Sequence, residues 1–162
     1  MDIPVYSFIA KSGTGKTTLI EKLIPELKSR GLRVAVMKHD AHEFDVDKPG
    51  KDSWRMTHAG ADVTVIASAT HSAVMENRPV PADELLKGIR DVDVILTEGY
   101  QQCPWKKIGV HRAASGNVLP VISDRYIAVV ADGDVDVPAP HIGLDDVKSL
   151  ADFIISDMSR AE

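Results

Sequence analysis

The chain is predicted to fold as an α/β protein, a mainly parallel β-sheet flanked by helices, forming a single domain over residues 1–162. Three observations carry this expectation. Short apolar runs rich in β-formers alternate with segments of helical period. The connections between them are short, which suits right-handed strand–helix–strand units. A chain of 162 residues, 44% hydrophobic and 27% charged, supports one sizeable core, and two independent domains would be a squeeze.

Residues 3–10 are apolar and end in a Gly/Ser/Thr cluster, the pattern of a buried strand. From Thr17 the period changes. Leu19, Leu23 and Leu27, with Ile20 and Ile24 on the neighbouring row, mark the apolar side of a helix, and Glu21, Lys22, Glu26 and Lys28 supply its wet side. Gly31 ends it, and Pro25 within it removes one backbone hydrogen bond and invites a kink. Residues 33–39 read as the second strand, 52–59 as a helix and Val63–Ala67 as a third strand. Residues 72–75 suit a strand before the turn residues Asn77 and Pro79. Residues 81–89 suit a short helix, with Asp83 and Glu84 at the positive end of its dipole. Residues 92–97 form a buried strand, 107–112 and Tyr126–Ala131 two later ones. Residues 144–158 close the chain as a helix, with Val147, Leu150, Ile154 and Met158 at helical spacing. The irregular stretches are 40–51 and 99–106.

Charge and cysteine content narrow the function. Nineteen Lys and Arg against 24 Asp and Glu give a net charge of −5, which favours neither nucleic acid nor an anionic membrane surface. No apolar run approaches the ~20 residues needed to cross a bilayer. A lone cysteine, Cys103, cannot make an internal disulfide, and no signal-peptide pattern opens the chain, so a cytoplasmic location is expected. Any anionic ligand must be held by local geometry.

Residues 10–18, AKSGTGKTT, lie between the first strand and the first helix, the context a phosphate-binding loop requires. Successive backbone amides must turn inward around a phosphate, and Gly13 and Gly15 permit the backbone angles and the close approach. Ser12, Gly13, Thr14, Gly15, Lys16, Thr17 and Thr18 are therefore the candidate nucleotide-binding residues. Lys16 is placed at the β- and γ-phosphates and the Thr17 hydroxyl on Mg²⁺. Ala10 stands where such loops have their first glycine, and the turn survives this if its φ is negative. The competing reading is a turn that merely joins strand to helix.

An acidic residue at the end of another strand should complete the metal site. Glu98 closes the run VDVILTE and is assigned to Mg²⁺ or to the attacking water, with Asp40, just after the second strand, as a rival for that role. Both belong to the carboxyl rim of a parallel sheet. Residues 38–55, KHDAHEFDVDKPGKDSWR, crowd His39, Asp40, His42, Asp45 and Asp47 together. Without thiolates or a rigid period, this argues less for a transition-metal site than for a segment that closes over a ligand, with Lys48, Lys51 and Arg55 as its positive groups. A solvated connector is the plainer alternative, and Trp54 suits packing better than a base platform.

These runs, together with TEGY at residues 97–100, resemble the MobB family of molybdopterin-guanine dinucleotide biosynthesis adaptor proteins from about Ile3 through Arg112. The 38–55 segment is the more family-specific part. The resemblance implies a P-loop NTPase-like fold and a GTP- and Mg²⁺-dependent protein with weak GTPase activity, usually a homodimer. Its implied partner is the MobA-type guanylyltransferase that attaches GMP to molybdopterin, with molybdopterin itself a further possible ligand. Position by position, Gly13, Gly15, Lys16, Thr17 and Thr18 match the nucleotide loop, and Asp40 and Glu98 match acidic positions near the metal and γ-phosphate. No N-K-x-D signature for guanine is visible. Asp132, after Tyr126–Ala131, could accept from guanine, or could simply form the turn before Gly133.

Two other classes stay open at this point. One is a small-molecule kinase using ATP at the same loop. The other is an interaction module whose nucleotide only stabilises a dimer. Slow hydrolysis is expected because no arginine or glutamine can be assigned to the transition state, where such groups supply about 10³ to 10⁵ in rate; Arg55, Arg78 and Arg112 are the arginines to place.

Overall fold

A computed structural model describes residues 3–39, 44–122 and 125–160. The chain divides into two compact units, Met1–His39 with Ile89–Glu162, and Asp40–Gly88.

The first unit is built on a six-stranded sheet, here labelled in order along the whole chain: β1 (Val5–Ile9), β2 (Val34–Lys38), β5 (Val94–Glu98), β6 (Lys106–His111), β7 (Tyr126–Ala131) and β8 (His141–Gly143). Their order across the sheet is β2-β5-β1-β6-β7-β8, and every pairing is parallel. The chain crosses to one side of β1 for β2 and β5 and to the other side for β6, β7 and β8. That reversal places a crevice beyond the carboxyl end of β1, the usual ligand position in an open parallel sheet.

Strand alternation decides which side chains enter the core. Tyr6, Phe8, Leu96, Ile108, Val110 and Val130 face α1 (Lys16–Ser29) and α4 (Val147–Ser159). These helices contribute Leu19, Leu23, Leu27, Leu150 and Ile154, all essentially solvent-free. On the opposite face Ile9, Tyr126, Val129 and Ala131 are covered by non-helical chain, through Leu119, Ile122, Val135 and Val137. Two buried hydroxyls on adjacent strands satisfy each other there, Thr97 donating to Ser7 Oγ at 2.9 Å.

Pro25 does not end α1. Its side is exposed, so the carbonyl it orphans one turn earlier, at exposed Glu21, faces water. Gly31, at φ 86°, ends the helix instead: Gly31 N–H donates to Lys28 O (3.0 Å) and Leu32 N–H to Leu27 O (3.2 Å), the paired bonds of a left-handed C-terminal cap. Arg30 then reaches Glu26 on α1 and Asp152 on α4, tying the two helices at their surface.

The second unit holds α2 (Asp52–His58), β3 (Val63–Ala67), β4 (Ser72–Glu76) and α3 (Ala82–Gly88). β3 and β4 form their own antiparallel pair, with Val65 opposite Val74. The four residues between them are too few for a parallel crossover, which needs a dozen or more. β8, three residues at the sheet edge, escaped the sequence reading because so short a strand has no measurable period.

Candidate functional site

The loop from Ala10 to Thr18 leaves the carboxyl end of β1 and enters α1. Gly13 (φ 77°) and Gly15 (φ 99°) both take the left-handed conformation that a Cβ disfavours. Ala10 is not among the positive-φ residues, so the missing first glycine costs the turn nothing. Gly15 is the N-cap of α1 and offers no side chain to the helix amides. The start of the helix therefore presents amides and the positive dipole end to whatever occupies the loop.

Lys16 lies along the loop, its Nζ donating to Ala10 O (2.9 Å) and Lys11 O (3.1 Å). Burial lowers its pKa below the ordinary lysine value; the Glu98 carboxylate opposes this shift and Lys38 adds to it. One residue on, Thr17 donates its hydroxyl to Glu98 Oε2 at 2.8 Å. Glu98 is the last residue of β5, in register with Phe8 on β1 and Lys38 on β2. The sheet thus brings an acidic group to the threonine hydroxyl from 81 positions away in the chain. These are hard oxygen donors, the kind Mg²⁺ takes.

After Glu98 the chain turns sharply. A Cβ on Gly99 (φ 91°) would stand 3.1 Å from His39 Cβ, so glycine lets β5 end against the end of β2. His39 N–H donates to Glu98 O at 2.9 Å. Tyr100 keeps a left-handed φ of 57°, unusual for a bulky residue. Its ring lies between those of His39 and Trp105, 5.3 Å from each. Asp40 and His42, both singled out in the sequence, lie outside the described residues.

On the other side of the loop stands a segment of which sequence reasoning named Arg112 without placing it, and did not name Asn117. Arg112, just after β6, donates Nε–H to Thr14 O at 3.3 Å, and its guanidinium lies 3.2 Å from where a Cβ on Gly15 would be. Asn117 donates Nδ2–H to Ser12 O (3.2 Å) and to the buried Thr14 hydroxyl (3.3 Å). No local pattern could have linked residues 98 and 105 positions apart. Asp132, at the end of β7, accepts from Ala113 N–H at 2.6 Å through Oδ1. That oxygen braces the 112–117 segment. Thr18 is exposed on the first turn of α1.

The remaining arginines raised by the sequence are placed within the second unit. Arg78 pairs with Glu76 (2.7 Å) and Glu84 (2.5 Å), and Arg55 with Asp52 (3.7 Å). Trp54 stacks on His58, ring centres 3.8 Å apart, consistent with its expected packing role.

Residues 5–132 match the family model described as molybdopterin guanine dinucleotide synthesis protein B. The molybdopterin-guanine dinucleotide biosynthesis adapter protein of Haemophilus influenzae is 39% identical over 156 residues, covering 94% of this chain and 88% of that protein. The adapter protein of Escherichia coli, also 39% identical, covers 98% and 95%. A solved structure titled molybdopterin-guanine biosynthesis protein B superposes with a TM-score of 0.72 at 32% identity, over 94% of this chain and 98% of that one.

Proposed function

The chain belongs to the molybdopterin guanine dinucleotide synthesis protein B family, and from that premise we propose that it is a GTP- and Mg²⁺-binding adaptor with weak GTPase activity, assisting the MobA-type guanylyltransferase that joins GMP to molybdopterin. The observation that carries the reading is the Thr17–Glu98 hydrogen bond at the mouth of a glycine loop along which the Lys16 side chain lies. Thr17 and Glu98 would hold Mg²⁺, which would supply charge that neutralises the phosphates. Lys16 holds the β- and γ-phosphates, and the amides from Gly13 to Thr18 wrap them. Asp40 remains a proposed rival of Glu98 for that role.

Slow turnover follows from the arginines. Arg55 and Arg78 are paired with carboxylates, and Arg112 donates its Nε–H to Thr14 O. An adaptor needs the nucleotide held more than it needs it hydrolysed. A homodimer is supported by the uncovered apolar face of the β3–β4 pair, where Val63, Val65 and Val74 are each more than half exposed. A cytoplasmic setting and a single working nucleotide-binding domain over residues 1–162 complete the proposal. Among the described residues no helix is long and apolar enough to cross a membrane.

Competitive binding of GTP against ATP, with and without Mg²⁺, tests this. Preference for GTP that depends on Mg²⁺ supports it. Preference for ATP, with phosphoryl transfer to an added acceptor, supports the small-molecule kinase instead.

A further inference from the structure

We infer that Arg112 and Asn117 are positioning residues that hold the phosphate loop in its anion-binding form from outside. The inference rests on the nucleotide reading of the loop and goes beyond it to the residues that set the loop's shape. Its basis is peptide geometry. In a planar trans peptide the C=O of one residue and the N–H of the next point in opposite directions. The chain contains no cis peptide among the described residues. Asn117 draws Ser12 O towards itself at 3.2 Å, which turns Gly13 N–H the opposite way. Arg112 draws Thr14 O towards itself at 3.3 Å, which turns Gly15 N–H the opposite way. Two alternate carbonyls are pulled to the 112–117 side, so two alternate amides face away from it.

The glycines make this necessary. At φ 77° and 99° a glycine has many competing conformations, and a loop containing two of them pays the entropy of ordering whenever it binds. A side chain that fixes the peptide plane beforehand removes that cost from binding. The clamp is itself braced. Asp132 Oδ1 accepts from Ala113 N–H (2.6 Å), Ser115 Oγ donates to Arg112 O (2.7 Å), and Gly116 turns the chain at φ 66° so that Asn117 returns to the loop. Asp132 thereby acts through the loop's scaffold. Arg112 adds a second contribution, because its guanidinium lies against Gly15 and its charge favours an anion in the cradle.

The test uses the whole chain and two probes, GTP·Mg²⁺ and inorganic tripolyphosphate, the second carrying no base or sugar. Asn117→Ala and Arg112→Gln are each expected to weaken tripolyphosphate binding about tenfold, the equivalent of one hydrogen bond, with GTP weakened in parallel. The Asn117→Ala loss should persist at raised salt, since no charge is removed, whereas part of the Arg112→Gln loss should be screened. Melting temperature reports the fold separately. In ligand-free protein, the Gly13 amide resonance should move in Asn117→Ala and the Gly15 resonance in Arg112→Gln. If one variant folds poorly, the other carries the test. Wild-type affinity for tripolyphosphate in both folded variants, with Lys16→Ala still weakening binding on the order of a hundredfold, overturns the clamp and leaves the nucleotide reading standing. Wild-type protein that binds neither probe overturns both.

Discussion

Thr17 and Glu98 meet at 2.8 Å, the first turn of α1 joined to the last residue of β5. This contact places a carboxylate one residue's reach from the lysine that spans the loop. Glu98→Gln keeps the shape and removes the charge. Hydrolysis in a single-turnover assay is expected to fall on the order of a hundredfold while GTP affinity changes far less. Equal turnover contradicts the role given to Glu98.

Lys16→Ala removes the ammonium that the loop carbonyls hold. Triphosphate affinity is expected to fall on the order of a hundredfold by calorimetric titration, as for loss of a charged hydrogen-bonding partner. Since among the described residues Lys16 hydrogen-bonds to loop carbonyls alone, the melting temperature should move by no more than about 4 °C. Unchanged binding would reject the assignment of the loop.

Gly15→Ala and Gly13→Ala separate backbone strain from crowding. Both glycines hold left-handed φ, and a side chain there costs about 1–3 kcal/mol. A Cβ at Gly13 meets open space, whereas one at Gly15 meets the Arg112 guanidinium at 3.2 Å. Gly15→Ala is therefore expected to lose more triphosphate affinity than Gly13→Ala. Equal losses in titrations of the two variants contradict the placement of Arg112.

Asp157 predicts an acid limb. Burial acts to raise its pKa, but hydrogen bonds from Lys106 (2.6 Å) and Tyr6 (2.6 Å) and the charges of Lys106 and Arg160 outweigh it and hold the carboxyl below the ordinary aspartate value. As pH falls, the unfolded chain takes up this proton first. The stability the group contributes is thus complete above the unfolded pKa and is lost as pH falls through the lower folded value. Asp157→Asn should destabilise the protein at neutral pH and less so near about pH 3, measured by urea unfolding. A gap between variant and wild type that stays constant across that range contradicts this.

Much of the fold was legible because it rests on period and punctuation. The Leu19, Leu23, Leu27 row and the Gly31 stop gave α1 within a residue or two, and Tyr126–Ala131 was read with its observed limits. The loop was legible because its chemistry is local: glycines, lysine and threonine adjacent in the chain. Glu98 was reachable as an acid at a strand end. The support shell was not. Arg112 and Asn117 serve the loop through tertiary contacts across the β1–β6 neighbourhood, and a single arginine or asparagine after a strand carries no local mark of that duty. Lys107 was likewise opaque, since it reads as a surface lysine yet is fully buried, donating to Cys103 O and Trp105 O. β8 became visible only because β7 supplies the ladder for it.

The central claim is that main-chain amides from Gly13 to Thr18 enclose the phosphates of a guanine nucleotide. Amide chemical shifts of the isotopically labelled protein, followed through titration with GTP·Mg²⁺, test it most directly. The largest, saturable changes are expected on Gly13, Gly15, Lys16 and Thr17. Changes that spare these four amides and cluster on other elements would contradict it.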